Sequence, residues 1–175
     1  IEEFMLLANR CVGQEGGERR SGVLYRIHEP PTPSKLQDLD RALQVLKLPR
    51  LGRLDDPARA LQTLLAAPID PQHRRLLHRM VLRALPRARY DARDHGHFGL
   101  ASREYCHFTS PIRRYPDLHN HRRVREWLRG QRDAAWDPSA LDEDAATCSA
   151  CEETAVAAER EAVKVKSLRL LEGRL

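Results

Sequence analysis

Lysine is nearly missing from this chain: its 175 residues hold 4 lysines against 26 arginines. A GC-rich coding genome produces such a bias unaided. The planar guanidinium fork nevertheless suits bidentate contact with phosphate in a way an ammonium does not. Cysteine is scarce as well, with four residues, Cys11, Cys106, Cys148 and Cys151. So few in this length exclude a disulfide scaffold and make a reducing cytoplasm the expected compartment. No apolar run approaches the ~20 residues a membrane span requires, so no membrane partner is expected. No signal-peptide pattern is visible and no methionine stands first. The chain opens directly on a helical spacing of Ile1, Phe4, Met5, Ala8, Cys11 and Val12, which predicts a piece cut from a longer protein. Internal repeats and low-complexity tracts are missing too. What remains, with 41% hydrophobic residues, is enough for one domain or a large part of one.

Charge is unevenly placed. Residues 71–132 carry 15 of the 30 basic groups and only five acids (Asp91, Asp94, Glu104, Asp117, Glu126), a net of +10, while the remainder carries −5. A segment so basic repels itself unless a polyanion or an acidic surface lies near it. A solvated helix face would look the same, but the motif inside the segment favours nucleic acid. The helical pattern at 71–84 places Arg74, Arg75, Arg79 and Arg83 opposite its apolar side. With Arg122, Arg123 and Arg125 they are candidates for RNA backbone contact or domain packing.

Local signals order the chain. Residues 1–12 predict a helix with Glu2 and Asn9, seven apart, on its polar side. A turn is expected through Gly13, Gly16, Gly17 and Gly22, then a strand at Val23–Ile27 and a break at HEPPTPS. Ser34 starts a helix with Leu36, Leu39, Leu43 and Leu46 as its stripe, ended by Pro49. Asp56-Pro57 opens a second, with Ala60, Leu61, Leu64 and Leu65, and Pro71 a third, with Leu76, Leu77, Met80, Val81 and Ala84, closed by Pro86. A helix through Trp127 and Leu128 precedes a linker at 130–138. Ser139 and Asp142 resemble a capping box for a long final helix, about 139–172, stopped by Gly173. Its face combines Ala145, Cys148, Ala155, Ala158, Ala162, Val165 and Leu168. The fold class is predominantly α with short β segments.

The densest chemistry lies in residues 97–122, HFGLASREYCHFTSPIRRYPDLHNHR, with four of the nine aromatics and an Arg-Arg pair. Ser110-Pro111 is a helix-start signal whose free N–H groups could hold a phosphate. Arg113 and Arg114 would add charge-assisted bonds. Pro116 disfavours helical geometry at Tyr115, so the helix could instead begin only at Pro116, with both arginines on an irregular turn. Pairing of the arginines with acids such as Asp117 is the plainer alternative. Asp117 and His121, four apart, share a helix face; they either orient an imidazole for chemistry or tie the helix to a neighbouring loop. His95, His97, His107, His119 and His121 show no zinc spacing, and Cys148-x-x-Cys151 has no second pair, so no zinc site is expected.

This run resembles the signature of the ribonuclease II / ribonuclease R exoribonucleases, in their RNB catalytic domain. IEEFMLLAN, LYRIHEPP and AEREAVKVKSL resemble further segments of that family in the same order, and RRYPDL with LYRIHEPP is closer to the ribonuclease R branch. The resemblance implies the C-terminal half of an α/β RNB-type catalytic domain across residues 1–175, ending near the start of an S1 domain. It implies a processive 3′-to-5′ exoribonuclease that degrades single-stranded RNA to nucleoside 5′-monophosphates with Mg²⁺. Arg113 would be the cleavage-assisting arginine. Glu2 would touch the terminal sugar, Glu159 would lie near the RNA end, and Arg114 would join them in binding RNA. Ser110, Tyr115, Asp117 and His121 would support the site structurally.

The family's metal-binding aspartates and base-clamping aromatics belong to the first half of the domain. Asp55-Asp56 and Asp142-Glu143-Asp144 look like surface acids, so the Mg²⁺ ligands are expected outside this sequence and the chain alone is expected to be inactive. The expected partners are RNA, the rest of the RNB domain and flanking RNA-binding domains. Two other readings stand beside this one: a catalytically inactive RNB-like RNA-binding protein, and a helical interaction module built on the long helix and its CxxC.

Overall fold

Three helices of the chain begin with the same local code, an oxygen-bearing side chain followed by proline. In the computed structural model, which describes residues 1–131 and 138–172, Thr32 accepts from the Lys35 N–H ahead of α2 (Pro33–Val45), though at 3.4 Å. Asp56 accepts from Arg59 N–H at 3.0 Å ahead of α3 (Pro57–Ala66), and Asp70 from Gln72 N–H at 3.2 Å ahead of α4 (Pro71–Ala84). Each cap satisfies a donor that the first turn leaves free, and each proline forfeits a donor that had no partner. The other elements are α1 (Glu2–Arg19), β1 (Tyr25–Ile27), β2 (Arg89–Asp91), a 3-10 turn at Phe98–Leu100, α5 (Tyr115–Leu128) and α6 (Pro138–Glu172). The architecture is mostly α with short β segments. Among the described residues no helix is long and apolar enough to cross a membrane.

The chain divides into two compact units. One comprises residues 28–88 and 95–102. Its core is the joined stripes of α2, α3 and α4: Leu36, Leu39 and Leu43; Ala60, Leu61 and Leu64; Leu77, Val81 and Ala84, with Phe98 packed against them. Burying each leucine contributes roughly 1.5–3 kcal/mol. The expected stripe is trimmed at two places. Leu46 lies one residue past the end of α2 and Leu65 turns outward on α3, so both are largely exposed.

The other unit comprises residues 1–27, 89–94 and 103–175. Its sheet pairs β1 with β2 antiparallel, Tyr25 opposite Asp91 and Ile27 opposite Arg89. Leu24, Tyr90, Leu141 and Ala145 form one cluster, and Val23, Tyr25 and Ile27 with Trp127 another. The glycines at 13, 16 and 17 do not make the expected turn; α1 runs through them. A Cβ at Gly13 would stand 1.7 Å from the Glu104 carbonyl oxygen, and one at Gly16 would stand 2.6 Å from Val23. These glycines let other segments approach the helix closely. The turn comes later, where Arg20 takes a left-handed conformation (φ 51°) and its N–H bonds the carbonyls of Gly16 and Gly17.

α6 has 35 residues and is about 50 Å long at 1.5 Å per residue. It begins at Pro138, so Ser139 lies within its first turn instead of preceding it. The linker residues 132–137 and the expected stop at Gly173 lie outside the described residues. Of the expected apolar face, Ala145 is buried and Cys148 half-buried, whereas Ala155, Ala158, Ala162, Val165 and Leu168 are exposed. Among the described residues, every position of the helix from 157 to 172 is exposed.

Candidate RNA-binding cleft

The loop that leads into α5 is held from two sides by asparagines. Asn9, buried in α1, donates to the Tyr105 hydroxyl at 2.9 Å, accepts from the Phe108 N–H at 3.0 Å, and offers its carbonyl to the Cys106 thiol at 3.3 Å. Asn120, buried in α5, bonds both the N–H and the carbonyl of Leu24 and also the His107 carbonyl. Unpaired buried amides cost free energy, so such satisfied clamps fix the loop in one place. The Tyr90 hydroxyl meets His107 Nδ1 at 3.0 Å. Burial is the main cause pushing the Tyr90 phenol up to about 12.

α5 starts at Tyr115, with Arg114 in the extended N-cap position and no side-chain cap. Residues 111–113 form a turn. The Ser110 side chain therefore caps nothing here; its carbonyl accepts from the Arg113 and Arg114 N–H groups, each at 3.3 Å. The carboxylate of Asp117, fully buried, accepts three bonds of 2.7 Å: one from the Ser110 N–H and two from the Arg114 guanidinium. His121 donates from Nε2 to the Phe108 carbonyl at 2.8 Å and stacks flat on the Phe108 ring, centroids 3.9 Å apart. Both side chains tie the turn to the helix, and they do not pair with each other.

The two arginines thus separate. Arg114 is half-buried and spent on Asp117. Arg113 is exposed, and among the described residues its side chain has no ion-pair or hydrogen-bond partner. Arg113, Arg114 and Tyr115 form one wall of a cleft of about 660 Å³, and α6 forms the other with Cys148, Cys151, Glu152 and Glu159. Glu152 is bound bidentately by Arg26 at 2.6 and 3.0 Å, with the guanidinium over the Tyr90 ring, 4.6 Å from its centre. That network braces α6 against the sheet and leaves Glu159 as an exposed carboxylate in the cleft. Glu2 sits exposed in the first turn of α1 and does not line the cleft. Sequence reasoning missed Asn9 as a loop clamp, and missed Asn120 and the Arg26–Glu152–Tyr90 set.

The fit to Mg²⁺ can be judged from the acids present. Asp55 pairs with Arg53, Asp56 caps α3, and Asp142 faces Arg93 at 3.7 Å. Among the described residues no group of three or more His, Cys, Asp or Glu is arranged to hold a metal ion. Engaged in this way, Asp55, Asp56 and Asp142 do not make an Mg²⁺ site.

The RNB domain family model matches residues 1–130. The chain belongs to the RNB domain family. It is 35% identical to ribonuclease R of Aquifex aeolicus over 176 residues, covering 100% of this chain and 25% of the relative. Its structure matches that of Mycoplasma genitalium RNase R in complex with ribose methylated single-stranded RNA, with a TM-score of 0.79, 30% identity, and coverage of 92% of this chain and 26% of the other. Yeast Ssd1, a pseudonuclease, shares the fold at a TM-score of 0.69 and 24% identity over 84% of this chain and 18% of Ssd1. This RNB chain therefore spans about a quarter of the length of the ribonuclease R it matches. Its Arg113–Glu159 cleft lies wholly within the unit that holds α1, α5 and α6.

Proposed function

We propose that this RNB chain supplies one wall of the active site of a 3′-to-5′ exoribonuclease. The enzyme hydrolyses single-stranded RNA processively to nucleoside 5′-monophosphates. The observation that carries this reading is the division of labour between adjacent arginines: Asp117 consumes Arg114, while Arg113 stands uncommitted in a cleft that also presents Glu159.

Arg113 neutralises charge that grows on the non-bridging phosphate oxygens as the phosphodiester is attacked. Glu159 lies beside the RNA 3′ end. Glu2, outside this cleft in the first turn of α1, contacts the terminal sugar where the RNA extends to that helix. Mg²⁺ is the expected cofactor; held by residues outside this chain, it would supply the charge that activates water and stabilises the leaving oxygen. The alternative is a catalytically inactive RNB-like protein that binds RNA without cleaving it.

Product analysis tests the proposal. The full-length protein incubated with single-stranded RNA labelled at either end should release labelled mononucleotide from the 3′ end first, and the 175 residues alone should release none. RNA bound but uncut by the full-length protein would establish the inactive alternative.

A further inference from the structure

Two tyrosines line the cleft between α5 and α6, and they divide as the two arginines do. Tyr90 is buried: its hydroxyl meets His107, and the Arg26 guanidinium covers its ring. Tyr115 is 49% exposed. Among the described residues its hydroxyl makes no hydrogen bond, and its ring meets no aromatic or cationic partner. Support of the turn, the role expected for it, is already supplied by Asp117, Asn120 and His121. The backbone accounts for its placement. Arg114 is extended (φ −129°, ψ 118°), and an extended residue sends its neighbours to the side opposite its own side chain. Arg114 turns to Asp117, and Arg113 and Tyr115 are presented to the cleft together.

The charges of the cleft decide which part of a nucleic acid fits it. Arg114 is held by Asp117, and Glu152 by Arg26. Arg113 then faces two carboxylates, Asp144 and Glu159, neither in an ion pair among the described residues. That balance repels a run of phosphates but admits a single one at Arg113. The remaining space, in a cleft of about 660 Å³, suits an uncharged group of nucleoside size. Tyr115 on one wall, with Ala155 and Val156 on the other, supplies apolar surface for a flat ring.

We propose that Tyr115 is a base-stacking residue that seats the base of the 3′-terminal nucleotide, whose 5′ phosphate meets Arg113. The proposal rests on the exoribonuclease reading and adds to it a base contact supplied by this chain. Release of a 5′-monophosphate makes the scissile phosphate and the stacked base parts of one nucleotide. Stacking uses a π-face that every base has, so it grips without reading sequence. An enzyme that removes each nucleotide in turn needs that tolerance.

The test compares full-length wild type, Tyr115→Phe and Tyr115→Ala on single-stranded RNA whose 3′-terminal nucleotide either keeps its base or is an abasic ribose. On intact RNA, Tyr115→Ala should lower kcat/KM for the first cleavage by roughly 5- to 150-fold, the range for one lost stack, and Tyr115→Phe should stay near wild type. Removing the base should cost wild type a similar factor and cost Tyr115→Ala little more, because both changes delete one contact. Losses that simply multiply would mean a structural role for Tyr115 and overturn the proposal. So would an abasic end cut by wild type at the full rate, a result that does not depend on how the variants fold. The same comparison of RNA affinity, made with divalent metal removed by EDTA, needs no cleavage. A protein that never cuts RNA, yet shows the non-multiplying loss in affinity, would sink the nuclease reading and support the stacking site. Wild type that binds no RNA would overturn both.

Discussion

Asp117 grips the guanidinium of Arg114 through two bonds of 2.7 Å and the Ser110 N–H through a third, all inside the first turn of α5 and the loop before it. This buried ion pair sets the shape of the turn on which Arg113 is displayed.

Breaking it should therefore cost stability as well as activity. Asp117→Asn leaves a half-buried guanidinium poorly matched and loosens the Ser110 bond. The expected loss is about 3 kcal/mol, in the range for removing one partner of a buried pair. It reads as a lower urea midpoint at unchanged slope. Arg113→Ala, at an exposed position with no side-chain partner among the described residues, should shift the same midpoint by no more than about 0.5 kcal/mol.

Gly13 gives a prediction that runs against helix propensity. Alanine favours a helix interior over glycine by about 1 kcal/mol, but here its Cβ would meet the Glu104 carbonyl 1.7 Å away. Gly13→Ala should destabilise by more than about 2 kcal/mol through displaced backbone. Gly17→Ala meets only the ends of side chains, the Tyr25 hydroxyl at 3.1 Å and the Glu104 carboxylate at 3.4 Å, and should be far milder. Thermal unfolding of both variants checks the contrast.

His119 donates from Nε2 to the Gly22 carbonyl at 2.8 Å. Burial first, then Arg123 and Arg122, lower its pKa below the ordinary 6.5. Protonation then favours the unfolded chain. The stabilisation is intact above about pH 6.5 and is lost as pH falls through the lower folded-state value. Unfolding midpoints measured from about pH 7 to about pH 5 should fall, and fall less steeply for His119→Gln, whose amide can still donate to Gly22. An NMR titration placing His119 above 6.5 would contradict this.

On α4, Arg75, Arg79 and Arg83 are exposed, and the helix has no acid of its own. If they track RNA phosphates, replacing all three with glutamine should flatten the salt dependence of RNA binding by about 0.7 per lost contact on single strands. An unchanged slope would assign them to protein packing. Arg123, half-buried and paired with Glu126 at 3.0 Å, should contribute less than Arg122 or Arg125.

Much of this was legible in the chain because its signals are local. Thr32-Pro33, Asp56-Pro57 and Asp70-Pro71 each carry a helix start within two residues, and the stripes of α2 to α4 follow from helical spacing. The glycines of α1 were illegible because a turn and a close approach use the same residue type, and the approaching carbonyl of Glu104 is 91 positions away. β2 has only three residues, and its partner lies far back in the sequence. Asn9 and Asn120 likewise act on groups about a hundred positions away, and nothing beside them in the sequence announces a clamp. The cleft was half readable. The Arg-Arg pair stood out, but which arginine was free depended on the register of the turn relative to Asp117.

Single-turnover cleavage of single-stranded RNA by the full-length protein, compared between wild type and Arg113→Ala, tests the central claim most directly. The account predicts a rate lower by roughly 10²–10³ with RNA affinity little changed. A variant that cleaves at the wild-type rate would contradict it.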